Sequence, residues 1–100
     1  MTTETTIDIP YLFRSLEQAL RAGFSVRQAV GRVSGEIAGL DALAADLASG
    51  ADLVESIASW ADRRSEPEAS LLTGAVRLQV EDGGNLADKL GLLHRVLERR

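Results

Sequence analysis

The 100 residues predict an all-α protein, a compact antiparallel bundle of six helices with short glycine-capped joints. Three observations carry that expectation. Apolar residues recur at spacings of three and four nearly throughout, the pattern of helices buried on one side. Strand signals are weak: aromatic residues are 4% of the chain, apolar and polar positions do not alternate, and the Asp82-Gly83 pair has helical flanks. Finally, one junction recurs three times: apolar, two residues, glycine, one residue, a cap former, apolar.

Residues 1–9 read as a flexible tail and residues 10–100 as a single helical domain. The first helix is expected from Pro10 to Ala22, with proline suited to the first helical position and Leu12, Phe13, Leu16, Ala19 and Leu20 on one face. The second runs from Val26 to Ser34 through Ala29, Val30 and Val33, and the third from Ile37 to Ser49 through Leu40, Leu43, Ala44 and Leu47. Leu53 to Arg64 forms the fourth, with Ile57, Trp60 and Ala61 inward. Tryptophan is common in interface anchors, but on this face Trp60 reads as core. Pro67 opens the fifth helix, which ends at Asp82; the sixth spans Leu86 to Arg99. Both have broad apolar surfaces (Leu71, Leu78 and Val80; Leu93 and Val96), and such helices are either central or face a partner. Gly31, Gly74 and Gly91 fall inside helices at a cost of up to about 1 kcal/mol each relative to alanine, which points to close helix approach.

The joints have a physical explanation. Gly23, Gly50 and Gly83 take the left-handed conformation that closes a helix, and Ser25, Asp52 and Asn85 accept hydrogen bonds from the free amides that open the next. Gln28, Glu55 and Asp88 stand three residues after each cap, where they can reach back as capping boxes, Asp88 being a shorter variant. The glycines lie 27 and 33 residues apart, but the intervening segments differ, which favours a bundle over a solenoid.

Composition excludes several classes. Without cysteine there is no disulfide framework, thiolate metal site or cysteine nucleophile. No apolar run exceeds four residues, far short of the roughly 18 that a membrane-spanning helix needs. A net charge of -4 opposes nucleic-acid binding. No catalytic, cofactor or metal residues are expected.

His94 with Glu98 one turn later could supply two ligands or a base with its orienting partner; with no second histidine, a surface pair at a helix end is preferred. Gly83-Gly84-Asn85 lacks the G-x-G-x-x-G spacing, a Walker lysine and a preceding strand, so it is no nucleotide cradle. Glu81 and Asp82 oppose the dipole at their helix end; solvated charge is the preferred reading and contact with a cation or basic partner the alternative, whereas Glu66 and Glu68 suit a helix start. Arg95, Arg99 and Arg100 suit a helix carboxyl end, as do Arg63 and Arg64; the first three also fit the positive charge found beside a cytoplasmic membrane boundary. The interaction candidates are therefore Glu81, Asp82, Gly83, Gly84, Asn85, Arg95, Arg99 and Arg100.

Three stretches carry a family resemblance: Leu16 to Ala29 with its Ala-Gly-Phe-Ser joint, Leu47 to Ile57, and Glu81-Asp-Gly-Gly-Asn-Leu86 followed by a helix ending in two arginines. In this order and spacing the chain resembles the cytoplasmic domain of the type II secretion F family. These are inner-membrane platform proteins of type II secretion, type IV pili and tight-adherence (Flp) pili, the last being the most similar branch. The resemblance implies a non-enzymatic scaffold at the cytoplasmic face of the inner membrane, anchored in its full-length form. It also implies contact with the assembly ATPase and other platform proteins, and a homodimer. The alternative expectation is a stand-alone helical adaptor or regulator without a membrane anchor.

Overall fold

Asp8 starts the first helix: its Oδ1 accepts a hydrogen bond from the Tyr11 amide at 3.1 Å, and α1 runs over Ile9–Arg21. The computed structural model describes residues 6–99. Among them, α2 is Val26–Val33, α3 Asp41–Ala48 and α4 Leu53–Asp62; a 3-10 turn at Pro67–Ala69 leads into α5, Ser70–Asp82, and α6 is Leu86–Glu98. No strand occurs among the described residues, so the all-α bundle of six helices is the architecture.

Two boundaries and the tail differ from the sequence reading. The third helix begins at Asp41 instead of Ile37, because Gly39 takes φ 98° and Leu40 at the cap position offers no side-chain hydrogen bond. Ile37 and Leu40 are still buried, so apolar spacing alone reads them as helical. Pro67 opens a 3-10 turn before α5. The expected tail over residues 1–9 is corrected at its inner end, where Ile7 and Ile9 are buried in the core. Residues 1–5 lie outside the described range.

The first two joints close with the same pair of backbone bonds. Phe24 donates to Ala19 and Gly23 to Leu20; Ala51 donates to Asp46 and Gly50 to Leu47. These are the six-to-one and five-to-two bonds of a Schellman ending. Only Ser25 and Gln28 complete a capping box, at 3.1 and 2.9 Å. Asp52 and Asn85 cap their helices one way, through the amides of Glu55 and Asp88. The third joint is built differently: Gly83, at φ 78° and ψ −147°, has a positive φ but not the left-handed helical conformation expected of it, and Gly84 follows with a second positive φ of 87°.

Each helix packs against the next, and α6 closes on α1 in the most extensive contact of the molecule. Glu17 meets His94 and Arg21 meets Asp88, so the order of partners runs backwards and the two helices are antiparallel. Phe13, Leu12, Val30, Leu43, Ile57 and Leu90 fill the centre. The radius of gyration, 12.6 Å, matches the value of about 13 Å expected for a compact domain of this length.

A clamp ties the amino-terminal segment down. Ile7 donates its amide to Glu66 Oε2 at 2.7 Å, and Arg64 donates to both oxygens of the same carboxylate, at 2.9 and 3.0 Å. Hydrogen bonding from Arg64, opposed by burial and aided by the Ile7 amide, holds the Glu66 carboxyl at about 2, below its ordinary 4.5. Arg64 and Glu66 are thus clamp residues and do more than answer a helix dipole. Trp60, 3% exposed, donates its Nε1 to the Gly39 carbonyl at 3.0 Å, and a Cβ on Gly39 would come within 2.9 Å of Ile7 Cδ1.

Candidate functional site

The seven interaction candidates among the described residues do not form one site. Glu81, Asp82, Gly83, Gly84 and Asn85 are all exposed at the α5–α6 joint. Arg95 and Arg99 are exposed toward the other end of α6, and Arg100 lies outside the described residues. The 13 residues of α6 rise about 1.5 Å each, which sets the acidic joint and Arg99 about 20 Å apart. Glu81 and Asp82 form no ion pair among the described residues. A Cβ on Gly84 would come within 3.0 Å of Lys89 Nζ.

The joints at Gly23 and Gly83 are brought together across space. Leu20, Arg21, Ser25 and Val26 face Gln79, Gly84, Asn85 and Leu86 across an open cleft of about 650 Å³. The joint at Gly50 takes no part in it. Ser25 and Asn85 turn their capping oxygens to backbone amides of their own helices, which ties up the donors an anion would otherwise meet.

His94 is not the surface pair that its position suggests. It is 9% exposed, with Nε2 3.0 Å from Glu17 Oε1 and Nδ1 3.0 Å from Glu98 Oε1. A neutral ring can donate only one of these bonds and an imidazolium both. Glu17 also accepts from Arg21 at 3.0 Å, and Arg21 reaches Asp88 at 3.0 Å, giving a polar chain Asp88–Arg21–Glu17–His94–Glu98 along the α1–α6 seam. Asp88 first, and then Glu17, raise the Arg21 pKa from its ordinary value. Gly91 makes the seam fit: a Cβ there would lie 2.6 Å from Glu17 Oε2. Glu17 escaped the sequence reading, although the helical glycine three residues before a histidine marked the face it occupies. Close approach does not explain the other two helical glycines, since a Cβ on Gly31 or Gly74 would meet nothing within 4 Å. Among the described residues no group of three or more His, Cys, Asp or Glu is set to hold a metal ion.

The broad apolar surfaces of the fifth and sixth helices turn out to be partly uncovered. Leu71 and Leu78 on α5 and Leu92 and Val96 on α6 are exposed, Leu92 by 58%. An apolar groove of about 380 Å³ runs between the helices, with Gly74 and Ala75 on the α5 side and Leu93 on the α6 side. Lys89 lines its end near Leu78. The spacing of Leu71, Ala75, Leu78 and Asp82, and of Lys89, Leu92, Val96 and Arg99, places each set on one helical face. No described helix is long and apolar enough to cross a membrane.

Comparison with known protein families, with characterised proteins and with solved structures found no match to the chain.

Proposed function

We propose that the domain acts by protein contact through its α5–α6 face. In this reading it is the cytoplasmic scaffold domain of an inner-membrane platform protein, engaging the assembly ATPase and other platform subunits of a secretion or pilus system. The apolar groove between α5 and α6 carries the contact reading. Leu78, Leu92 and Val96 are each about half exposed, and covering them would gain on the order of 1 kcal/mol apiece. The platform role is supported by the resemblance of the three joints, which occur in the family's order.

Titration of the purified domain with the assembly ATPase of the same organism, followed by calorimetry, tests the reading. Saturable binding is expected, weakened at least about tenfold by Leu92→Glu. The same titration separates the joint from the groove: Glu81→Lys is expected to weaken binding only if the acidic end contributes. Absence of binding by the unaltered domain would remove the ATPase as partner.

A further inference from the structure

We propose that His94 is a pH-operated latch on the α1–α6 seam: its imidazolium ties Glu98, at the end of α6, to Glu17 on α1, and loss of the ring proton lets Glu98 go. None of these three residues lines the α5–α6 groove, so the latch operates whatever that groove binds.

The ring holds two carboxylates at the same distance, Glu17 from Nε2 and Glu98 from Nδ1, each at 3.0 Å. Only the imidazolium has a proton for both. The two contacts are not equivalent. The Glu17 side chain is 12% exposed and is held in place by Arg21 at 3.0 Å. Glu98 is 48% exposed, has no second partner among the described residues, and sits at the carboxyl end of α6, where the helix dipole opposes a carboxylate. A neutral ring therefore keeps its one N–H on Nε2 for Glu17, and the bare Nδ1 lone pair then faces an oxygen of Glu98. Two acceptors without a hydrogen between them repel, and Glu98 turns to water.

The surrounding charges favour the protonated ring. Asp88, Glu17 and Glu98 carry three negative charges along the seam, and Arg21 carries a positive one. Arg95 adds a second, its Nη1 lying 3.3 Å from where a Cβ on Gly91 would sit. One positive charge is missing, and the imidazolium supplies it. Arg14, one turn before Glu17, lies over the Tyr11 ring and forms no ion pair with Glu17 or Glu98 among the described residues. From α5, Arg77, Glu81 and Asp82 form no ion pair with the seam among those residues. The stabilisation belongs to the charged ring, so it is present at low pH and lost as pH rises. Glu98, once released, adds an unpaired negative charge between Arg95 and Arg99, lowering the positive field at that end of the molecule.

The chain has one histidine, and histidine is the side chain whose ordinary charge change falls between pH 5 and 8. Ring nitrogen NMR of the histidine-labelled chain, with urea unfolding at pH 5.5 and 8.5, tests the latch. At pH 5.5 both ring nitrogens are expected to carry protons, and at pH 8.5 Nε2 alone. The folding equilibrium constant, referred to that of His94→Gln at each pH, should fall about threefold to tenfold from pH 5.5 to 8.5, the worth of one partly exposed charged hydrogen bond. Glu98→Gln should at least halve that response, because its amide can donate to the neutral Nδ1. Glu98 is half exposed, so this variant keeps the fold and reads the latch even if His94→Gln does not fold. A neutral ring protonated on Nδ1 overturns the proposal. So does a pH response equal to that of His94→Gln, one of opposite sign, or one that Glu98→Gln leaves intact.

Discussion

A methyl group added at Gly91 and one added at Gly31 have opposite expected effects. At Gly31 nothing lies within 4 Å, so Gly31→Ala should gain about 0.5–1 kcal/mol from backbone entropy and helix propensity. At Gly91 the new Cβ would displace Glu17, whose hydrogen bonds to His94 and Arg21 are worth on the order of 1 kcal/mol each. Gly91→Ala is accordingly expected to be net destabilising by about 1 kcal/mol, despite the same propensity gain. Urea unfolding of both variants checks the difference in sign. Thr73 makes a third case at this scale: it is 9% exposed and its Oγ1 has no hydrogen-bond partner among the described residues. Thr73→Val should stabilise by about 1 kcal/mol, because it removes an unpaired hydroxyl at nearly constant shape. The helical glycines were visible in the sequence as anomalies. Which of them marks a close approach was not, because that depends on a residue 74 positions away, Glu17, crossing at Gly91 and nowhere else.

Among the joining elements, the clamp at the α4–α5 connection governs acid stability. The Glu66 carboxyl titrates at about 2 in the fold against an ordinary value of 4.5. A depressed carboxyl pKa contributes stability that is fully present above about 4.5 and is lost as pH falls toward 2. At about 1.4 kcal/mol per unit the contribution is on the order of 3 kcal/mol. Glu66→Gln should flatten the stability profile between those pH values, read as the urea midpoint against pH. Gly39 and Gly50 test the turns in the same way: both have left-handed backbones, at φ 98° and 92°, yet only Gly39 is crowded. Gly50→Ala should cost about 1–2 kcal/mol from backbone strain, and Gly39→Ala more, because its Cβ also meets Ile7. The Schellman endings and caps could be read in the sequence because their hydrogen bonds join residues at most five apart. The clamp could not, because Ile7 and Glu66 are 59 residues apart and nothing local announces their meeting.

For the molecule as a whole, the ring of helices is closed by the pair most distant in sequence, α1 and α6. Amides around Leu16 and Leu90 are therefore expected to exchange hydrogen only through global unfolding, and those of residues 34–39, outside any helix, through local opening. Native-state exchange against denaturant reads both. The bundle and its six helices followed from periodicity, and so did the excess apolar surface on α5 and α6. What periodicity could not tell was whether that surface is central or outward, since both give the same spacing; only the packing of α4 and α1 against the other sides of these helices decides. The separation of the acidic joint from Arg99 was legible as well, because it is the length of the sixth helix. Burial of Trp60 has an optical consequence. As the sole tryptophan, 3% exposed and hydrogen-bonded to the Gly39 carbonyl, it lies apart from the groove lining. Its emission should report opening of the clamp and stay silent when the α5–α6 face is covered, so folding and association can be followed in one sample without a label.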